Sequence, residues 1–192
     1  MLAVDRADFC PDNPYVDSSS PLGYPGVSIN SPHTHARCLE LLHGNLSKGS
    51  SALDVGSGSA YLTTCMALMV GRMGKAVGID LVEDMVEDSI TNIKKSHQDL
   101  LDSKRIKIVS GDGRIGYAPR APYDAIHIGV SLEAVPQQNG VCFFSYWEQL
   151  KPGGRLIAFV GPSEGSQVLQ QYDKQRDGTI KKTEVERLPV DG

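Results

Sequence analysis

Short apolar runs recur along the chain, separated by longer stretches in which apolar side chains return every three or four positions. The runs at 52–55, 76–80, 106–110, 124–130 and 155–161 are rich in Val, Ile, Leu and Ala and are the length of buried strands. Residues near 59–71 and 83–97 carry helical spacing between them. This alternation predicts an α/β fold: a doubly wound, mainly parallel sheet with helices on both faces and a ligand crevice at the carboxyl ends of the strands. The lead-in differs. Residues 11–32 contain five prolines and the run Ser18-Ser19-Ser20, which forbid a long helix and predict an irregular loop. Helical spacing resumes over 35–46, with Cys38 or Leu39, Leu42 and Leu46 on one side and Glu40 and His43 elsewhere. The expected organisation is a single domain over 1–192, a loop-and-helix cap at 1–48 on an α/β core at 49–192.

The first core strand leads into chemistry. It runs through Leu53, Asp54 and Val55 into Gly56-Ser57-Gly58-Ser59-Ala60 and then a helix. The two glycines let the backbone turn sharply and let a ligand lie against it, and the helix start offers unpaired N–H groups. A dinucleotide fingerprint requires a third glycine where this chain has Tyr61, which weakens a nicotinamide reading. Asp54, just ahead of the loop, would repel a pyrophosphate and attract a sulfonium or an α-ammonium. S-adenosylmethionine carries both. Asp80, 24 residues beyond Gly56 at the end of the next strand, suits the ribose hydroxyls of any adenosine cofactor. Asp112, between Gly111 and Gly113, follows a third strand and could meet an adenine amino group. The alternative for all three acids is that they cap helices and turns.

Composition narrows the partners. The chain has 192 residues, 40% hydrophobic and 22% charged, which fits one ordinary globular domain rather than a disordered or fibrous one. A net charge of −4, with Lys94-Lys95 and Lys104-Arg105 as local pairs only, argues against a nucleic-acid partner. The longest apolar stretch, 65–70, is too short to span a bilayer, and Asp5, Arg6 and Asp8 stand where a signal peptide would be apolar. The expectation is a cytoplasmic monomer with no membrane partner, its Cys10, Cys38, Cys65 and Cys142 reduced. His33, His35 and Cys38 raise a metal site, but the spacing lacks a second ligand cluster, so hydrogen bonding, packing or a ligand contact is the preferred role. The aromatic stretch 137–149, with Phe143, Phe144, Tyr146 and Trp147, reads as a helix or edge packed on the sheet in preference to a substrate wall.

Several segments together resemble one family. They are Asn13-Pro14-Tyr15, Ser31-Pro32-His33-Thr34-His35-Ala36, Leu53-Asp54-Val55-Gly56-Ser57-Gly58-Ser59 and Gly78-Ile79-Asp80, followed by Gly111-Asp112-Gly113-Arg114, Ala121-Pro122-Tyr123-Asp124-Ala125-Ile126-His127, Leu150-Lys151-Pro152-Gly153-Gly154-Arg155-Leu156 and Val160-Gly161-Pro162. The pattern is similar to the eukaryotic protein-L-isoaspartate (D-aspartate) O-methyltransferases, class I methyltransferases with a Rossmann-like core. The glycine loop alone would indicate only a class I methyltransferase; the Pro-His-x-His and Ala-Pro-Tyr-Asp-Ala-Ile-His segments are far more specific. The resemblance implies methyl transfer from S-adenosylmethionine to isoaspartyl carboxylates of damaged peptides and proteins, the first step of their repair. It places Val27, Ser28, Ile29, Asn30 and His35 at the cofactor, with Ser57, Gly58, Ser59, Asp80, Asp112 and Gly113; Asp54 and Gly56 join them from the loop reading. Asn30 takes the catalytic position, where the family usually has a serine hydroxyl and where Ser31 is an adjacent substitute. Other differences are Ala60 for a usual glycine, a bulkier 129–136 loop in which Glu133 would repel a substrate carboxylate, an apparent insertion at 139–146 and ends that are short relative to the family. These leave open a catalytically impaired isoform or paralogue acting as a binding module. A class I methyltransferase with another acceptor is a third reading, and a nicotinamide dehydrogenase ranks last.

Overall fold

The computed structural model describes residues 1–133, 144–162 and 165–188. Its centre is a seven-stranded sheet in the order β5-β4-β3-β6-β7-β8-β9, formed by β3 (Ser51–Val55), β4 (Lys75–Asp80), β5 (Ile106–Ser110), β6 (Tyr123–Leu132), β7 (Leu150–Val160), β8 (Gln167–Lys174) and β9 (Ile180–Leu188). β3 to β7 pair in parallel, and β8 and β9 return antiparallel. The chain winds outward from β3 to β5, then crosses back to lay β6 beside β3. That reversal opens a crevice at the carboxyl ends of β3 and β6, where Val55 pairs with Ile128. Ala52, Leu53, Ala125, Ile126 and Ile128 are fully buried, because both sheet faces are covered.

Each face has its own apolar core. On one side α2 (Tyr61–Met69) and α3 (Glu83–Asp102) pack with α1 (Pro32–Leu42), joining Leu42, Met66, Ile93 and Leu100 to Phe9 of the N-terminal segment. α2 is buried almost all round, as its apolar sequence demands, while α3 is amphipathic and turns Met85, Val86, Ile93 and Leu100 inward. On the other face Tyr123, Ile126, Leu150 and Leu156 pack with Tyr146 and Trp147 of α4 (Phe144–Gln149). The Trp147 ring lies 5.5 Å from that of Tyr172. The described part of the aromatic stretch is thus a helix packed on the sheet; Cys142, Phe143 and most of the apparent insertion lie outside the described residues.

The proline-rich segment is ordered by what it touches. A two-strand hairpin, β1 (Ser20–Pro21) with β2 (Ser28–Ile29), interrupts the predicted loop. Lys95 Nζ donates to the Asp8 carbonyl at 2.7 Å and Tyr24 Oη to Asp88 Oδ2 at 2.7 Å, tying the segment to α3. α1 begins at Pro32, earlier than its apolar spacing indicates, because the first helical position needs no N–H partner. Two strands escape the apolar pattern altogether. β8 is Gln-rich with only Leu169, Gln170 and Tyr172 buried, and β9 is an edge strand of mostly charged side chains.

Candidate functional site

The glycine loop is held by the strand beside it. Gly56 N and Ser57 N both donate to the Ile79 carbonyl, at 2.9 and 3.2 Å, and Gly58 N donates to Asp80 Oδ2 at 2.9 Å. Gly56 has φ +74°, and a Cβ there would come within 2.5 Å of Val130 Cγ1. A Cβ at Gly78 would fall 2.8 Å from that of Ser57, so the loop also settles on a strand cleared of side chain. Ala60 completes the turn in the left-handed region at φ +67°, a conformation that favours glycine. Asp80 uses its second oxygen, Oδ1, to accept from Val82 N at 3.1 Å at the start of α3.

Asp54 is arranged differently from the sequence expectation. It is buried, accepts from Thr63 Oγ1 at 2.6 Å and lies 2.7 Å from His127 Nδ1. Burial opposes charge on His127, but hydrogen bonds to Asp54 and Cys38 and their charges together outweigh it and push the imidazole up to about 10. The Asp54 charge is therefore matched inside the protein, and it joins β3, α2 and β6 rather than standing free to draw in a cation.

His35 and Asn30 form the opposite wall, with Arg6 behind them. Arg6 is 5% exposed. Its Nη1 lies 3.1 Å from His35 Nδ1, its Nη2 donates to the Asn30 carbonyl at 2.6 Å, and its Cζ sits 5.3 Å from the Tyr61 ring centre. His35 is held well below its ordinary pKa by burial first, then by the Arg6 and His127 charges. Among the described residues the Asn30 side chain has no hydrogen-bond partner. Ser31 Oγ, its proposed substitute, is committed to Thr34 Oγ1 at 2.8 Å and lies 3.2 Å from His33 Nδ1, which in turn reaches Asp17 at 2.9 Å. The two histidines of the Pro-His-x-His segment thus serve separate partners.

Two cavities meet at the crevice. A small one of about 40 Å³ lies among the glycine loop, His35, Tyr61 and His127; a larger one of about 510 Å³ opens between Val27, Thr34, Asp80, Ser131 and Gln167. The larger volume is within the range of small-molecule sites. Ser28, Asn30, Gly56, Gly58 and Gly129 border both. Of the residues expected at a cofactor, Val27, Ser28, Ile29, Asn30, His35, Asp54, Gly56, Ser57, Gly58, Ser59 and Asp80 line one or the other. Asp112 and Gly113 line neither. The Asp112 carboxylate accepts from Arg114 N at 3.0 Å and binds the Arg114 guanidinium at 2.7 Å, which lowers its pKa and caps the short turn at Gly113–Ile115. Glu133 is exposed and borders neither cavity.

The sequence as a whole matches the model of the protein-L-isoaspartate(D-aspartate) O-methyltransferase (PCMT) family over residues 1–189. The chain belongs to this family. It is 44% identical over 188 residues to the protein-L-isoaspartate O-methyltransferase of Caenorhabditis elegans, an alignment covering 98% of this chain and 80% of that protein. It is 45% identical over 182 residues to the Triticum aestivum protein of the same name, covering 93% and 75%. A crystal structure of a Plasmodium falciparum protein-L-isoaspartate O-methyltransferase of this family, solved in complex with S-adenosyl-L-homocysteine, superposes with a TM-score of 0.86 at 31% identity, covering 99% of this chain and 86% of the other.

A methyltransferase site in this family has to take an adenosine cofactor, and the residues present fit one. Ser57 Oγ is buried without a partner among the described residues, and the glycines leave a cradle that a Cβ would fill. The pattern reading missed Arg6, His127 and Gln167, while Gly129, Val130 and Ser131 entered through the resemblance as part of the bulkier 129–136 loop. His127 sits inside a strand and looks like any interior position until Asp54 is beside it. Gln167 belongs to β8, which carries no apolar signature. Only the Ala-Pro-Tyr-Asp-Ala-Ile-His resemblance flagged the His127 neighbourhood.

Proposed function

We propose that this chain is an S-adenosylmethionine-dependent carboxyl methyltransferase acting on L-isoaspartyl and D-aspartyl residues of damaged peptides and proteins, and so initiating their repair. The observation that carries this reading is the meeting of the two cavities at Asn30 and Gly129, on the carboxyl ends of β3 and β6. Ser57, Gly58, Ser59 and Asp80, with residues 27–30 and His35, would hold the cofactor, which when bound supplies an electrophilic methyl group on a sulfonium. A carboxylate is already an anionic nucleophile at neutral pH, so no strong base is required, only alignment and exclusion of water. The lining of the larger cavity suits that task. Among the described residues bounding it there is no Lys or Arg; its one acid is Asp80, the residue expected at the ribose, His33 lies at its edge, and Asn30, Thr34, Ser131 and Gln167 are neutral polar groups. Neutral donors orient a substrate carboxylate without forming the ion pair that would quench its nucleophilicity. Asn30, whose amide is unengaged, is the donor nearest the junction and the proposed catalytic residue.

Residues 1–48 act as the cap, bringing residues 27–30 over the glycine loop, and the protein works as a cytoplasmic monomer without nucleic-acid or membrane partners. No helix among the described residues is long and apolar enough to cross a membrane. A second reading, binding without turnover, is favoured by Asn30 standing where the family's serine hydroxyl is usual. One experiment separates the two: methyl ester formation by the purified chain on an isoaspartyl peptide and on its aspartyl counterpart, with cofactor binding followed by calorimetry in the same preparation. Selective methylation supports the enzyme; binding without turnover supports the binding module; a folded chain that binds no cofactor overturns both.

A further inference from the structure

Arg6 is a buried guanidinium that the reaction just described does not use, and no carboxylate among the described residues lies within hydrogen-bond reach of it. It bridges two residues of the candidate site instead: Nη1 to His35 Nδ1 at 3.1 Å and Nη2 to the Asn30 carbonyl at 2.6 Å. An arginine nitrogen only donates, so the Nδ1 facing it accepts, and the remaining imidazole proton is on Nε2. The ring lines the small cavity beside the glycine loop. Tyr61 supports the arrangement from α2, its ring 5.2 Å from that of His35 and beneath the guanidinium. The groups facing His35 are thus Arg6 from the N-terminal segment, Tyr61 from α2 and His127 from β6; no acid faces it directly.

We propose that Arg6 is a positioning residue for methyl transfer: it holds His35 neutral as the Nε2–H tautomer, a fixed donor toward the cofactor cavity, and pins the Asn30 backbone so that the Asn30 amide stays at the junction of the two cavities. A buried cation costs free energy unless its donors are used; here Nη1 and Nη2 are used on residues separated by 29 and 24 positions in sequence, while the buried Nε has no partner among the described residues. A purely structural cation would be matched more economically by an acid. Both contacts instead go to neutral acceptors at the site, which a guanidinium orients without supplying them with a counter-charge.

The inference rests on the crevice shared by the two cavities being the cofactor site, with His35 on its small-cavity side, and its first test is independent of that reading. Nitrogen-15 NMR of the ligand-free, histidine-labelled protein reports the His35 tautomer directly: the expected result is Nε2 protonated and Nδ1 unprotonated at neutral pH, and a protonated Nδ1 overturns the proposal. The second test compares Arg6→Met with Arg6→Lys. With the charge and fork gone, His35 in Arg6→Met is expected to lose its single tautomer and to protonate at higher pH than in the parent, and KM for S-adenosylmethionine to rise about 10-fold or more. Arg6→Lys keeps the charge but reaches only one acceptor, and is expected to restore the high-pH neutrality of His35 more than the KM. A variant of lowered stability whose His35 spectrum and KM match the parent's overturns the proposal. If Arg6→Met does not fold, the parent spectrum and Arg6→Lys still decide it. Failure of the parent to bind S-adenosylmethionine would count against the functional reading, while the tautomer would still decide the role of Arg6.

Discussion

Asn30 carries one prediction and the two buried histidines another. If the Asn30 amide donates to a substrate carboxylate, Asn30→Ala removes a hydrogen bond to a charged group, worth about 1.5–3 kcal/mol, and kcat/KM on an isoaspartyl peptide should fall about 10- to 150-fold. S-adenosylhomocysteine affinity, measured by calorimetry, should change much less, because the Asn30 carbonyl and its bond from Arg6 are backbone features. The histidines shape stability with opposite signs. His35 is held below its ordinary value, so the unfolded chain takes up a proton that the folded chain refuses, and stability falls as pH drops through about 6.5. His127 is held above it, so the stability from its pair with Asp54 is whole below about pH 6.5 and declines as pH rises toward the folded value. Urea unfolding between pH 5 and pH 9 should therefore show both limbs, with His35→Asn flattening the acid limb and His127→Asn the alkaline one. Neither histidine could be given this role from sequence. His35 stood in a motif, but its partner Arg6 lies 29 positions away, and nothing in the chain order pairs His127 with Asp54.

Among elements, the loop between β3 and α2 shows how local code and packing agree. Gly56 is required twice over, by φ +74° and by the 2.5 Å that would separate a Cβ from Val130 Cγ1. Gly56→Ala should lower unfolding free energy by about 2–4 kcal/mol, from left-handed strain and overpacking, as read from urea midpoints, and should abolish cofactor binding by pushing β6 away. A variant with parent-like stability and affinity would show that the loop relaxes around the methyl group. β3, β4, β5, β6 and β7 were legible because burial on both faces forces an apolar run into the sequence. β8 and β9 were not, because strands near a sheet edge need hydrogen-bond partners more than apolar side chains. The segment 11–32 is the converse case. Its prolines announced a loop correctly in the main, but it also holds a short hairpin, and Tyr24 between the two hairpin strands is fastened to Asp88 of α3.

For the whole molecule, ligand binding is the test of the assembled crevice. S-adenosylhomocysteine at one hundred times its Kd should stabilise the fold by about 2.7 kcal/mol, a rise of several degrees in Tm in differential scanning calorimetry, whereas a nicotinamide dinucleotide should give none. An equal rise with both would mean that Tyr61 in the third-glycine position does not discriminate. The sequence by itself determined the α/β class, the glycine loop, Asp80 at the end of its strand and the family, because apolar periodicity, turn chemistry and short motifs are local and survive in linear order. The tertiary structure alone decided that Asp54 is matched by His127, that Asp112 is taken by its own neighbour Arg114, and that Arg6 reaches across to His35 and Asn30. What a charged group does is set by which opposite charge, donor or acceptor comes within about 3 Å of it: for Asp54 and Arg6 that distance exists only once folding has brought remote segments together, and for Asp112 only once the turn at Gly113–Ile115 has formed.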